Sequence, residues 1–195
     1  MRLERGQRVV IATHNAGKLA EFALLLAPHG LDCASSGALG LAEPVEDAPD
    51  FAGNARIKAL AAAAASGLPA IADDSGLEVA AMAGAPGVRS ARFAQEAGGY
   101  AAAMAKIVAA SRADDRAAFA AAICLATPEG RTFTYLGWCR GRIAPAPRGD
   151  GGFGYDPVFV PLGETRSFAE LGKAEKSAIS HRYRALRQFA AAHLG

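Results

Sequence analysis

A short apolar strand that passes directly into a helix is the feature that most constrains this chain. Arg8–Ala12 reads Arg-Val-Val-Ile-Ala, which is typical of a buried strand. Helical spacing begins at Gly17 and is expected to end at Pro28 and Gly30. Strands that alternate with helices in this way build parallel sheets covered by helices, so the start of the chain favours an α/β fold.

The rest of the chain predicts a mixed sheet. The further elements read from periodicity and turn residues are helices over Asp50–Ser66, Tyr100–Ser111 and Lys176–His193, and strands over Pro69–Ala72, Phe119–Leu125, Phe133–Tyr135 and Val158–Val160. Pro128-Glu129-Gly130 separates two strands with period-2 character and is a turn signal, so these strands form a hairpin. Parallel strands early and an antiparallel hairpin later predict an α/β fold on a mixed sheet.

Composition narrows the class of protein. A length of 195 residues suits one domain, or one domain split into two lobes. The apolar run Ala59–Ala65 is far shorter than the roughly 20 residues that cross a bilayer, so no membrane partner is expected. A net charge of +2, with few aromatics among the basic residues, argues against nucleic acid as a partner. Cys33, Cys124 and Cys139 are odd in number and widely spaced, which predicts buried free thiols and a cytoplasmic protein.

The turn Thr13–Lys18, between the first strand and the first helix, is a candidate phosphate site. The start of a helix offers unpaired backbone N–H groups, and Lys18 adds a positive charge. The turn is not a P-loop, because Ala12 stands where the first glycine belongs and Leu19 follows the lysine. The alternative is an ordinary helix start capped by Asn15.

Acidic residues mark a second candidate site. Asp73-Asp74-Ser75-Gly76 follows an apolar strand, and two carboxylates at a strand end can hold a divalent metal and orient water. Neighbouring residues of an extended chain point in opposite directions, so one of the two is expected to face a ligand. The alternative is a turn with solvated acids. The acidic loop Glu43–Asp47 and Lys58 would each, taken alone, be assigned to solvent.

Two segments near the C-terminus complete the candidates. Gly149–Pro157 sets Phe153 and Tyr155 among glycines, which leaves room for a flat ring beside them, although a flexible loop is the alternative. Glu175–Arg182 is either a basic helix face or a ligand site, and Ser180 could cap a helix there.

Taken together, these segments resemble the inosine/xanthosine triphosphate pyrophosphatase family. Five separated motifs occur in the family's order, and the resemblance runs from Val9 to Arg184. The motifs are Thr-x-Asn-x-x-Lys from Thr13, Asn-Ala-x-x-Lys-Ala from Asn54, Ala-Asp-Asp-Ser-Gly-Leu from Ala72, Gly-Gly-Phe-Gly-Tyr-Asp-Pro from Gly151, and Glu-Lys-Ser-Ala-Ile-Ser-His-Arg from Glu175. Gly84–Gly87 followed by Ser90–Arg92 also fits.

The resemblance implies a fold and an activity. The fold is a long mixed sheet with helices in two lobes around a central substrate cleft, and the protein is a homodimer. The activity is magnesium-dependent hydrolysis of non-standard purine nucleoside triphosphates (ITP, dITP and XTP) to a monophosphate and pyrophosphate. The alternatives are a nucleotide-binding regulator without catalysis and a pyrophosphatase for modified pyrimidine nucleotides.

The resemblance also implies roles for single residues. Asp74 is the general base, and Glu46 and Asp74 are the magnesium carboxylates, with Glu43 and Asp47 as alternatives to Glu46. The implied contacts with the triphosphate are Thr13, His14, Asn15, Ala16, Gly17, Lys18 and Lys58, and Ser75, beside Asp74, is a further substrate contact. The implied contacts around the nucleoside are Phe153, Gly154, Tyr155 and Asp156, with Phe153 stacked on the purine. The implied contacts with the base are Lys176, His181 and Arg182. Members often have an acid where this chain has Gly53, so the implied metal shell is one acid short.

Overall fold

Six strands and six α-helices make up the fold of residues 1–194. The computed structural model describes residues 1–194, without the side chains of Ala16, Glu21, Leu24 and Leu25. The strands are β1 (Arg8–Ile11), β2 (Asp32–Ser35), β3 (Ala70–Val79), β4 (Arg116–Ala126), β5 (Thr132–Ile143) and β6 (Phe159–Pro161), and the helices are α1 (Ala16–Leu26), α2 (Phe51–Ser66), α3 (Ser90–Ala97), α4 (Tyr100–Ala110), α5 (Lys173–Ile179) and α6 (His181–His193). Within residues 1–194, no helix has the length and apolar character needed to cross a bilayer.

The strands form one sheet in the order β2-β1-β3-β4-β5-β6. β1 pairs in parallel with β2 and β3, whereas β5 and β6 are antiparallel, so the predicted α/β fold on a mixed sheet is confirmed. β4 and β5 are neighbours joined by a tight turn, in which the Thr127 amide donates to the Arg131 carbonyl at 2.9 Å, and this is the expected hairpin.

The chain divides into two compact units, each with its own apolar core. The first unit comprises Met1–Asp74, Ala121–Gly137 and Arg182–Gly195, and the second Ser75–Ala120 and Trp138–His181. The large, fully buried apolar side chains include Ile11, Phe22, Ile71, Ile123, Leu125 and Phe189 in the first core and Leu77, Ile107, Phe159 and Phe168 in the second.

β3 runs further than the sequence predicted. The expected strand ends at Ala72, but the observed one continues to Val79, so the motif Asp73–Gly76 lies inside a strand and not in a turn after it. A Cβ on Gly76 would lie 2.2 Å from the Gly87 carbonyl oxygen, so only glycine allows this approach of the chain to β3. Acids inside a buried strand need charged partners, and this need shapes the site described below.

Other differences follow from short or polar elements. β2 was not predicted, because it is a four-residue strand with Asp32 and Cys33 exposed and has no apolar run. The prediction that all three thiols are buried is therefore wrong for Cys33, whereas Cys124 and Cys139 are buried. α3 was also missed. The predicted final helix is two helices, since the extended backbone of Ser180 (φ −67°, ψ 157°) separates α5 from α6.

β4 is buried on both faces. The large side chains Phe119, Ile123 and Leu125 lie on one face of the strand, as expected, but the residues on the other face between them are small and equally buried. These small residues are Ala120, Ala122 and Cys124, and Ala121 is a small residue within the row of large side chains. The predicted alternation in β4 therefore does not mark an exposed face, because both faces of the strand are buried.

Candidate functional site

Two adjacent carboxylates of β3 form the centre of the site in the first unit. The side chains of Asp73 and Asp74 are 1% and 8% exposed. Because successive residues of a strand point to opposite faces, the two acids meet different partners. Ser75, the next residue of β3 and a predicted substrate contact, is half-buried at the start of the second unit.

Asp73 binds two cations. Its Oδ1 lies 3.2 Å from the Lys18 Nζ, and its Oδ2 accepts hydrogen bonds of 3.1 Å from both Nε and Nη2 of Arg182. Burial alone would raise the pKa of Asp73, but Lys18 and Arg182 outweigh it and hold that pKa far below its ordinary value. The sequence placed Asp73 in the candidate motif but did not predict that it binds Lys18 and Arg182. The signal that could have found it is that a buried acid on an inner strand needs a cation.

Asp74 shares a lysine with the acidic loop. Its Oδ1 lies 3.3 Å from the Lys58 Nζ, which also donates to Glu46 Oε2 at 2.9 Å, and Asn54 Nδ2 donates to Asp74 Oδ2 at 3.2 Å. Burial raises the pKa of Asp74, with Lys58 opposing and Glu46 and Asp73 adding to the rise. Burial would lower the pKa of Lys58, but the carboxylates around it outweigh burial and raise that pKa. Lys58 is therefore a cation held between carboxylates.

The start of α1 is both capped and charged. Asn15 Oδ1 accepts from the Lys18 amide at 3.1 Å, and Thr13 Oγ1 accepts from the Asn15 amide at 3.1 Å. Asn15 is thus the N-cap that the sequence allowed. His14 Nδ1 lies 2.7 Å from Glu43 Oε1 and so links this turn to the acidic loop. A capped helix start with a lysine in its first turn remains suited to a phosphate.

The carboxylates at Lys58 are suitable ligands for magnesium. Glu46 is the loop acid that the structure brings to Asp74, through Lys58, whereas Glu43 pairs with His14. Among residues 1–194, no group of three or more His, Cys, Asp or Glu side chains is arranged to hold a metal ion. Magnesium in nucleotide sites takes only one or two carboxylates, with waters and substrate phosphates as the other ligands. Two carboxylates that share one ammonium group keep a net negative charge, which suits such an ion.

A second cluster lies in the other unit. Asp156 Oδ2 accepts from the Phe153 amide at 2.8 Å and from the Lys176 Nζ at 2.6 Å, and that Nζ lies 4.5 Å from the centre of the Phe153 ring. A Cβ at Gly152 would lie 2.1 Å from Asp156 Oδ2, so glycine is required there. Phe153 itself is 40% exposed, beside Gly154. The cluster therefore contains an exposed aromatic ring and, beside it, a lysine that Asp156 holds in place.

Buried aromatic contacts support this cluster. The Tyr155 hydroxyl donates to the Ser90 carbonyl at 2.8 Å, and the Tyr155 ring meets Tyr100 edge-on, with 5.1 Å between ring centres. Burial raises the pKa of Tyr155, so its phenol stays neutral. His181 is buried and stacks on Phe119, with 4.9 Å between ring centres.

Three more residues, Arg182, Gly17 and Ala16, were predicted to contact the substrate. Arg182 was expected at the base and lies in the first unit on Asp73, so its contact with a base stays a prediction. Gly17 lies in the first turn of α1. The side chain of Ala16 lies outside the described residues.

Comparison with known proteins shows the family to which the chain is similar. Residues 9–192 match the model of the Ham1 family. The chain is 52% identical over 190 residues to a dITP/XTP pyrophosphatase of Gluconobacter oxydans, covering 96% of this chain and 91% of the relative. It is 50% identical over 191 residues to the protein of that name in Rhodospirillum centenum, covering 95% and 94%. A HAM1 protein from Coxiella burnetii has a similar structure, with a TM-score of 0.86 and 38% identity over 95% of this chain and 98% of that one.

The fold is α/β, and the first unit sets two buried, lysine-bound carboxylates beside the start of a helix. The chain belongs to the Ham1 family, and the resemblance found in its motifs is confirmed.

Replacing Asp73 with Asn tests the buried ion pairs. The change removes the charge that balances Lys18 and Arg182, and breaking a buried pair costs about 3 kcal/mol or more of unfolding free energy. Urea unfolding measures this loss. Asp114→Asn, which breaks the surface pair with Arg116, is the control and should change stability little. Equal midpoints for Asp73→Asn and the wild-type protein would contradict the role of Asp73.

Proposed function

We propose that this protein hydrolyses non-standard purine nucleoside triphosphates (ITP, dITP and XTP) to the monophosphate and pyrophosphate. Relatives with half of their residues identical carry the name dITP/XTP pyrophosphatase. The observation that carries the proposal is the Lys58 ammonium group, which lies within hydrogen-bonding distance of both Glu46 and Asp74. This arrangement combines a phosphate-binding cation, a pair of metal ligands and a base.

The triphosphate is assigned to the first unit. A triphosphate carries roughly four negative charges, and one close opposite charge contributes about 4 kcal/mol at an effective dielectric constant near 20 before desolvation. Lys18 and Lys58 supply such charges, and the turn Thr13–Lys18 adds the amides of a helix start. The carboxylates of Asp73 and Asp74 hold both lysines, so the cations are fixed before the substrate arrives.

Hydrolysis is assigned to Asp74. Its carboxylate accepts the proton of a water molecule that attacks the α-phosphorus, a role worth about 10²–10⁴ in rate. Glu46 and Asp74 would hold magnesium, which when bound neutralises the phosphates and the leaving pyrophosphate. Lys58 then stabilises charge on the transferred group, since phosphoryl transfer depends mostly on positioning and electrostatics.

The base is assigned to the cluster in the second unit. Phe153 offers an exposed ring for stacking on the purine, and Lys176 is a pure hydrogen-bond donor beside it. Hypoxanthine and xanthine present a 6-keto acceptor, whereas adenine presents a 6-amino donor at that position. A donor that faces a donor is left unpaired, so the cluster favours the keto purines over adenine.

The assembly and location of the protein are part of the proposal. We infer a homodimer in the cytoplasm. Leu136 and Trp138 on β5 are 37% and 42% exposed and offer an apolar surface to a second copy. Cys33 and Cys124 have free thiols, as in a reducing compartment. Light scattering of the purified protein gives the mass, and a monomer at micromolar concentration would contradict the dimer.

Pyrophosphate release from a panel of triphosphates tests the function. ITP, dITP and XTP should be turned over in magnesium, while ATP and modified pyrimidine triphosphates should react slowly, because Lys176 selects a keto purine. Activity should disappear in excess chelator and return with magnesium. Binding without turnover would indicate a regulator, and preference for the pyrimidine substrates would indicate the other alternative enzyme.

Asp74→Asn tests the base. The amide cannot accept a proton from water, so turnover of ITP should fall by about 10²-fold or more while the protein stays folded. Steady-state kinetics and circular dichroism measure the two properties. Turnover within about threefold of wild type would rule out Asp74 as the base.

Lys176→Ala tests the selection of the base. The change removes the donor beside Phe153, so ITP hydrolysis should fall much more than residual ATP hydrolysis, and the ratio of the two kcat/KM values should narrow. Lys173→Ala, on the same helix, is the control. Equal losses on both substrates would show that Lys176 acts on the phosphates or on the fold.

A further inference from the structure

The acidic loop that carries Glu46 is bound to α2 through the main chain of Ala48. The loop, residues 36–50, joins β2 to α2 and has neither helix nor strand. Its Ala48 amide donates to Asn54 Oδ1 at 3.0 Å, two residues beyond Glu46. Asn54 is in α2, one turn before Lys58, which binds Glu46. The position of Glu46 is therefore set from α2.

Asn54 also orients Asp74. The Ala48 amide can only donate, so the oxygen of the Asn54 side chain must face it. The nitrogen of the same side chain then faces Asp74 and donates to its Oδ2 at 3.2 Å. Asn54 is 3% exposed, so water does not compete for these bonds. One buried amide thus holds both the loop and the carboxylate.

Gly53 lets the loop lie this close to α2. Among residues other than proline, glycine is the least favourable choice inside a helix, yet Gly53 is the third residue of α2. A Cβ built on Gly53 would lie 2.5 Å from the Ala48 Cβ, nearer than real Cβ atoms approach. A side chain at position 53 would therefore push Ala48 away, and with it the amide that Asn54 binds.

We propose that Gly53 and Asn54 are positioning residues that clamp Ala48 against α2, so that Glu46 and Asp74 meet at the Lys58 ammonium group. This inference rests on the proposed function for the roles of Glu46 and Asp74. It also accounts for the absence of an acid at position 53. In this chain the loop occupies the space that such a side chain would need. The two carboxylates at Lys58 are then the proposed metal ligands, without a further acid at position 53.

Gly53→Ala and a compensating double substitution test the clamp. Alanine favours the helix, so a glycine that mattered only to α2 would give a more stable and equally active variant. The clamp instead predicts that the amide of residue 48 exchanges hydrogen at least about tenfold faster and that kcat for ITP falls about 10- to 100-fold, because small misplacements of reacting groups are costly. Ala48→Gly removes the colliding Cβ, so Gly53→Ala with Ala48→Gly should restore both properties.

Asn54→Asp separates the two bonds. An aspartate oxygen still accepts from the Ala48 amide, but a second carboxylate replaces the donor to Asp74. We expect protection of the Ala48 amide to remain while kcat falls at least about tenfold and KM changes by less than about threefold. Asn54→Ala removes both bonds and should lose protection as well as turnover. Wild-type turnover in Asn54→Asp would overturn the role of Asn54 at Asp74.

Amide exchange measured by NMR does not depend on activity, so it separates this inference from the proposed function. If the wild-type protein releases no pyrophosphate from ITP, the proposed function fails while the exchange of residue 48 still decides the clamp. Gly37→Ala is the control in the same loop, since its Cβ would meet only the His14 ring at 3.6 Å, and it should leave exchange at residue 48 unchanged. Unchanged exchange in Gly53→Ala, or a double variant that does not recover, would overturn the proposal.

Discussion

The burial of two neighbouring carboxylates in β3 is the constraint on which the site in the first unit depends. A buried charge is tolerated only with partners, and Asp73 and Asp74 point in opposite directions, so each needs its own. Lys18 comes from α1, Lys58 from α2 and Arg182 from α6. Three helices are therefore tied to one strand by charge, in addition to the apolar contacts of the core.

The same principle operates on a smaller scale in the second unit. A single oxygen of Asp156 accepts from both the Phe153 amide and the Lys176 ammonium group. The exposed ring of Phe153 and the buried lysine are thus fixed by one acid, and Gly152 leaves room for it. In both units carboxylates hold in place the cations that are assigned to substrate.

The sequence predicts elements that depend on neighbouring residues better than elements that depend on contacts between residues far apart in the chain. β1 and α2 follow local rules, and α2 begins after the Asp50 cap and ends at Gly67 with φ of 69°, as its pattern indicates. β3 was predicted too short because acids mark a strand end unless distant cations neutralise them, and such cations are invisible to a local pattern. For the same reason the motifs identified Lys18, Lys58 and Asp74 but not the role of Asp73. Whether Glu43, Glu46 or Asp47 joins Asp74 depended on the path of a loop, which Asn54 and Ala48 fix through space.

β4 has a consequence for how this protein can change over evolutionary time. Apart from Arg116 and Ala118, its residues are buried, and four fully buried alanines, Ala120, Ala121, Ala122 and Ala126, lie among the large side chains. A larger side chain at any of them must displace the backbone, and a polar one must lose its water. Because β4 lies between β3 and β5, a shift in its backbone would move the strand that carries both acids. We therefore expect accepted substitutions to accumulate on the exposed helix surfaces, with β4 among the slowest segments to diverge.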